Sequence, residues 1–95
     1  AELPGPMLRS GELLTDARLL VYSPKAAVRS KAADVLRCKT LHIVEQWPSP
    51  SWAAVDLALI PYKAEPVPGL LTLFLSHGTI PFQQMAAALA KLPQD

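Results

Sequence analysis

Few residues in this chain are of types that do chemistry, and their spacing decides what each can do. Ser76-His77 sets a hydroxyl beside an imidazole, the pairing of a nucleophile with its base. Neighbours in a strand point to opposite faces, so these two meet only across a sharp turn. A strand end running into a turn is the ordinary reading of the pair, and no catalytic residue is expected. Cys38 lies between Arg37 and Lys39 near a predicted helix end, where cations lower a thiol pKa. A partly buried structural cysteine is the preferred alternative. His42, His77 and Cys38 are ligand types without a local ligand motif, so neither a metal nor another cofactor is expected.

Lys25, Arg29, Lys31, Arg37 and Lys39, against the single Asp34, concentrate positive charge in the first predicted helix. Arg29 and Arg37 are the candidate contacts for an anion such as a nucleotide phosphate. The basic residues are spread around the helix, which is also how a solvated face looks. Trp47 and Trp52 flank Pro48-Ser49-Pro50. They read as a cap over a sheet, or as a contact spot for a partner. On the last predicted helix Gln84, Ala87 and Lys91 share the polar, low-relief side and form a candidate docking surface.

The bulk numbers limit what these residues can serve. The 95 residues allow one small domain. With 51% apolar residues the chain is not disordered by composition. A net charge of +1, with two Trp and two Phe, gives no argument for nucleic acid. One cysteine excludes an internal disulfide and fits a reducing compartment. The apolar runs fall far short of the roughly 20 residues that span a bilayer, so no direct membrane contact is expected. No basic segment followed by an apolar core opens the chain. A start at Ala1 instead of Met reads as a piece of something larger.

The elements that must position these residues centre on Val55–Gly69. Its first half is an apolar run closed by Pro61, the pattern of a strand buried on both faces. Residues 1–16, with two prolines and two glycines in their first eleven positions, read as a linker or arm; the domain proper is 17–95. Arg18–Tyr22 is the first strand. Ser23-Pro24 predicts a helix start, with Ser as N-cap and Pro at the first helical position, and the helix runs to about Cys38. Val28, Ala32, Val35 and Leu36 form its buried stripe. Leu41–Glu45 is a second, edge strand. Ser49-Pro50 caps one short turn. Pro61–Gly69 is a loop, Leu70–Ser76 a fourth strand, and Phe82 to about Leu92 a helix buried through Phe82, Met85, Ala86 and Leu89. The order is β-α-β-turn-β-loop-β-α, an α/β chain whose opening is a parallel crossover. The fourth strand can run either way, because Pro61–Gly69 is short for a parallel crossover yet long enough when extended.

Between Ala17 and Leu92 this pattern resembles a shortened, degenerate receiver domain of the pseudo-receiver kind found in bacterial hybrid sensor histidine kinases. The residues that carry the resemblance are Asp56-Leu57-Ala58-Leu59-Ile60 with the Pro-rich loop ending at Gly69, and Ile80-Pro81-Phe82-Gln83-Gln84-Met85. It implies a truncated flavodoxin-like domain of about four mostly parallel strands, in the order 2-1-3-4, with two main helices. It places Pro61 at the phosphoacceptor position, Tyr22 and Ser23 at the acidic pair, and Ile80 near the phosphate-contacting lysine. A phosphoryl acceptor needs a carboxylate and Mg²⁺ needs hard oxygen ligands, so the resemblance implies signalling without phosphorylation. The implied setting is cytoplasmic, within a kinase that is itself membrane-anchored or free, and the implied partners are its other domains or a second copy. A regulatory domain binding a nucleotide or other anion is the alternative. With two of the usual helices missing, one sheet face is expected to lack cover, leaving Trp47, Trp52 and the Leu3–Leu14 arm, or an outside partner, to close it.

Overall fold

The computed structural model describes residues 7–9 and 11–92. Four parallel strands form the main sheet: β3 (Arg18–Tyr22), β5 (Thr40–Val44), β6 (Leu57–Pro61) and β7 (Thr72–Leu75), in the spatial order β5-β3-β6-β7. Counted along the predicted strands this is 2-1-3-4. The fourth strand is parallel, paired Ala58 to Thr72 and Pro61 to Leu75. The connection from β6 to β7 contains no helix: extended chain is long enough to return along strands of four or five residues.

A second sheet was not expected. Short strands β1 (Met7–Arg9) and β2 (Glu12–Leu14) form an antiparallel hairpin, and β2 pairs in parallel with β4 (Leu36–Arg37). Gly11 makes the turn at φ +78°, a left-handed value suited to glycine. Residues 7–9 and 11–14, read as linker or arm, are therefore part of the packed domain. Residues 1–6 and 10 of that predicted arm lie outside the described residues.

Helix α1 (Ala26–Val35) is shorter than predicted at both ends. Ser23 Oγ does accept a backbone N–H, that of Lys25 at 3.1 Å, but the helix starts two residues later, with Lys25 at the N-cap position and no side-chain cap. At the other end Leu36 and Arg37 leave the helix because pairing with Leu13 and Leu14 supplies their backbone bonds. Helix α2 (Phe82–Ala90) buries Met85 and Leu89 as its spacing requires. No helix is long and apolar enough to cross a membrane among the described residues.

Both helices lie on one face of the main sheet. Leu19, Val21, Leu57, Leu59 and Leu75 point to it and join Ala32, Leu36, Ile80, Met85 and Leu89 in a single core. Leu13 from the hairpin is fully buried in the same core, and α2 packs on β1 and β2. The opposite face carries Leu20, Ala58 and Ile60, all fully buried. Its expected lack of cover is corrected here. The connection from β5 to β6 runs across β3 in the direction opposite to α1, so a right-handed path lies on this second face. It contains a 3-10 helix, Pro50–Ala54, capped by Ser49 and packed on β3. The 62–71 loop crosses on the same side. Two crossovers without an α-helix suffice because the strands are short. The arm is not the cover, since its described part packs on the helical side. Among the described residues, a rim of large apolar side chains stays open there: Trp52, Tyr62, Leu71 and Phe74.

Candidate functional site

In a parallel sheet the crevice lies at the strand C-termini, where neighbouring connections leave in opposite directions. Here that point falls between β3, which leads to β5, and β6, which leads to β7. The residues that arrive are Tyr22 and Ser23 from β3 and Pro61 from β6.

Ser23 is buried, and its polar atoms are spent on the chain itself. Its Oγ accepts from Lys25, and its carbonyl accepts from Arg29 Nη1 at 2.7 Å. Arg29 Nη2 also lies 3.4 Å from Glu45 Oε1. Tyr22 stacks on Trp47, with ring centroids 6.0 Å apart and planes at 23°. Trp47 Nε1 donates to the Glu65 carbonyl at 2.6 Å. That bond ties the loop after β5 to the loop after β6. Pro66 and Pro68 follow, so the backbone of Glu65 and Val67 is pushed to extended values. Together Tyr22, Trp47, Pro48 and the 64–68 segment line an open groove of about 470 Å³. Its walls are aromatic and proline rings with one exposed carboxylate, Glu65. Such walls hold flat or apolar groups and offer no positive charge to a phosphate.

The candidate anion contacts are not brought together. Arg29 stands beside the strand C-termini and is paired with Ser23 and Glu45. Arg37 lies in β4, and its Nε donates to Glu12 Oε2 at 3.0 Å. Near Arg37 a wider groove of about 740 Å³ opens between Leu14–Asp16, Leu36–Lys39 and Leu41. It adjoins the N-terminal end of β5, the end of the sheet away from the crevice.

Cys38 lines that groove. The thiol is half-buried and donates to the Thr40 carbonyl at 3.3 Å, and burial pushes its pKa up. Burial outweighs the opposing backbone hydrogen bonds at Thr40 and Leu19, as suits the partly buried structural cysteine and not the lowered value that Arg37 and Lys39 suggested. His42 lies in edge strand β5 and His77 in the turn after β7, the opposite edge, so they cannot share a metal with each other. No three metal-ligating side chains gather among the described residues. Ser76 and His77 are both exposed in a turn that Thr79 N–H closes on the Ser76 carbonyl at 2.9 Å.

The candidate docking residues separate into three places. Gln84, Ala87 and Lys91 are exposed together along the outer side of α2 and its end. Trp52 is exposed on the other sheet face. Trp47 is half-buried in its stack, where it braces the loops and lines the groove. Sequence reasoning missed the carbonyl of Glu65 as the partner of Trp47, since a backbone acceptor leaves no mark on residue type. A tryptophan and a Pro-rich loop, each following a strand, were the available signal. It also missed the bonds between Arg18 and Asp56 at the other end of the strands.

No protein family, no characterised protein and no solved structure matches the chain.

Proposed function

We propose that this chain is a non-catalytic pseudo-receiver, an interaction domain of a two-component sensor kinase. It regulates signalling by docking on neighbouring kinase or receiver domains without being phosphorylated. The observation that carries the reading is the content of the crevice between β3 and β6. A receiver gathers carboxylates there, to accept phosphate and to hold Mg²⁺. This chain brings Tyr22, Ser23 and Pro61. The Tyr22–Trp47 stack, bonded to the Glu65 carbonyl, lines the neighbouring groove with rings. The order and parallel direction of the main-sheet strands are consistent with a receiver-like frame, and on this reading Tyr22, Ser23 and Pro61 stand where its charged centre would be. The exposed row Gln84, Ala87 and Lys91 on α2 supplies a low-relief docking side. Docking biases which arrangement the larger kinase occupies.

Two experiments test this. Incubating the chain with a small-molecule phosphodonor and Mg²⁺ leaves its intact mass unchanged; a stable phosphoryl adduct overturns the reading. Deleting the domain from its kinase shifts phosphorelay output; output and domain arrangement that stay as they were overturn the docking role.

A further inference from the structure

We propose that β7 is a pairing edge through which two copies of this chain join into one continuous sheet. Among the described residues β7 is the last strand of the main sheet and has a neighbour on one side only. Ala58 N–H donates to the Leu71 carbonyl at 2.9 Å, and with the parallel register this turns the backbone groups of Leu71, Leu73 and Leu75 toward β6. The N–H and C=O of Thr72 and of Phe74 therefore point outward. Among the described residues no backbone bond meets them. Only another extended strand presents donors and acceptors at the matching spacing.

The edge also lacks the usual protection. Thr72–Leu75 contains no charge and no proline, and Phe74 is 40% exposed. The opposite edge, β5, is different. Thr40, His42 and Val44 point outward there, and the Thr40 carbonyl is already taken by the Cys38 thiol. A β7-to-β5 contact would moreover propagate without closing, whereas β7 to β7 closes on itself about a two-fold axis. One antiparallel register uses every free group. Thr72 faces Phe74 of the other copy and exchanges both bonds with it, the reciprocal pair does the same, and the two Leu73 residues meet at the axis. The two Phe74 rings then lie diagonally on one face, within reach of each other. A net charge of +1 per copy offers little repulsion. This inference stands on the strand edge alone and does not need the signalling role.

The test is sedimentation of the chain over a concentration series, with backbone hydrogen exchange alongside. The mass rises from 10.3 kDa toward twice that value. Thr72→Pro removes an outward N–H and no bond to β6, and Phe74→Lys puts like charges on the shared face; both stay monomeric with unchanged far-ultraviolet circular dichroism. The amide of Phe74 exchanges more slowly as concentration rises. Should either variant fail to fold, this amide decides on the natural sequence. A monomer at every concentration overturns the proposal, and so does a dimer that survives both substitutions or leaves the Phe74 amide unprotected.

Discussion

Asp56 fastens the start of β6 to the start of β3 by gripping Arg18 through backbone and side chain at once. Its Oδ2 accepts from the Arg18 backbone N–H at 2.8 Å, and its Oδ1 accepts from Arg18 Nη2 at 3.1 Å. Its own N–H donates to the Arg18 carbonyl at 2.7 Å. These bonds set the register of the two central strands at the end of the sheet opposite the ring-lined groove.

The same clamp makes stability depend on acid. The side-chain bond from Arg18 is the main cause that holds the Asp56 carboxyl below its usual range, against an opposing effect of burial. A carboxyl depressed in the folded state stabilises above its unfolded pKa of about 4, and that stability is lost as pH falls through the folded value. The pair is partly exposed, 50% at Arg18 and 28% at Asp56, so its worth is modest. Asp56→Ala is expected to cost roughly 1 kcal/mol at neutral pH and to lower Tm by about 4–8 °C. The gap between variant and natural chain narrows on acidification. Thermal unfolding across a pH series checks both, and equal Tm values at neutral pH would exclude the clamp.

Cys38 titrates the other way. Burial raises its thiol above the ordinary value, so the fold favours the neutral form. That contribution is complete below the unfolded pKa of about 8.5 and is lost as pH rises through the higher folded value. Alkylation by iodoacetamide at mildly alkaline pH should run slower than for an unstructured cysteine peptide, and Tm should fall on the alkaline side. A Cys38→Ala variant, which has no thiol to ionise, should lose less Tm over the same range. Faster alkylation than the peptide would mean that Arg37 and Lys39, not burial, set the reactivity.

Trp47 braces two loops, and its removal should loosen one of them selectively. Trp47→Leu deletes the bond to the Glu65 carbonyl and the stack on Tyr22. The expected cost is roughly 1–2 kcal/mol, from one hydrogen bond and one aromatic pair. Backbone amides in the 62–71 loop should exchange faster, while those of α2 keep their protection relative to global unfolding. Uniform loss of protection over both segments would show that the brace serves the whole fold and not the crevice.

The strands of the main sheet are legible because their burial is written in runs such as Leu57–Ile60, which no helix spacing explains. Pro50 and Ser49 announced the 3-10 turn through capping chemistry, and the structure uses both as expected. Leu36 shows why the small sheet was not legible. It continues the spacing of Ala32 and so reads as helix, yet it pairs with Leu13, a residue 23 positions away whose own context of Gly and Pro reads as linker. Local pattern ranks such a segment by propensity, whereas its conformation is decided by a partner strand that pattern cannot locate. The crevice was legible in the Tyr22, Ser23 and Pro61 that arrive there, since those are residue types. Its filling was not, because one partner in the bond is a backbone carbonyl.

Leu13 gives the sharpest test of where the domain begins. It is fully buried in the main core, between the small sheet and the helices, while Leu8 on the neighbouring strand is 43% exposed. Leu13→Ala removes buried methyl groups and is expected to cost roughly 2–5 kcal/mol, a large share of the about 5–15 kcal/mol typical of a domain. Leu8→Ala should fall within about 0.5 kcal/mol of the natural chain, as exposed substitutions do. Urea unfolding followed by tryptophan fluorescence measures both, and an unchanged m-value keeps the comparison one of stability alone. If Leu13→Ala is as mild as Leu8→Ala, the hairpin lies on the domain without belonging to its core, and the fold begins near Ala17 after all.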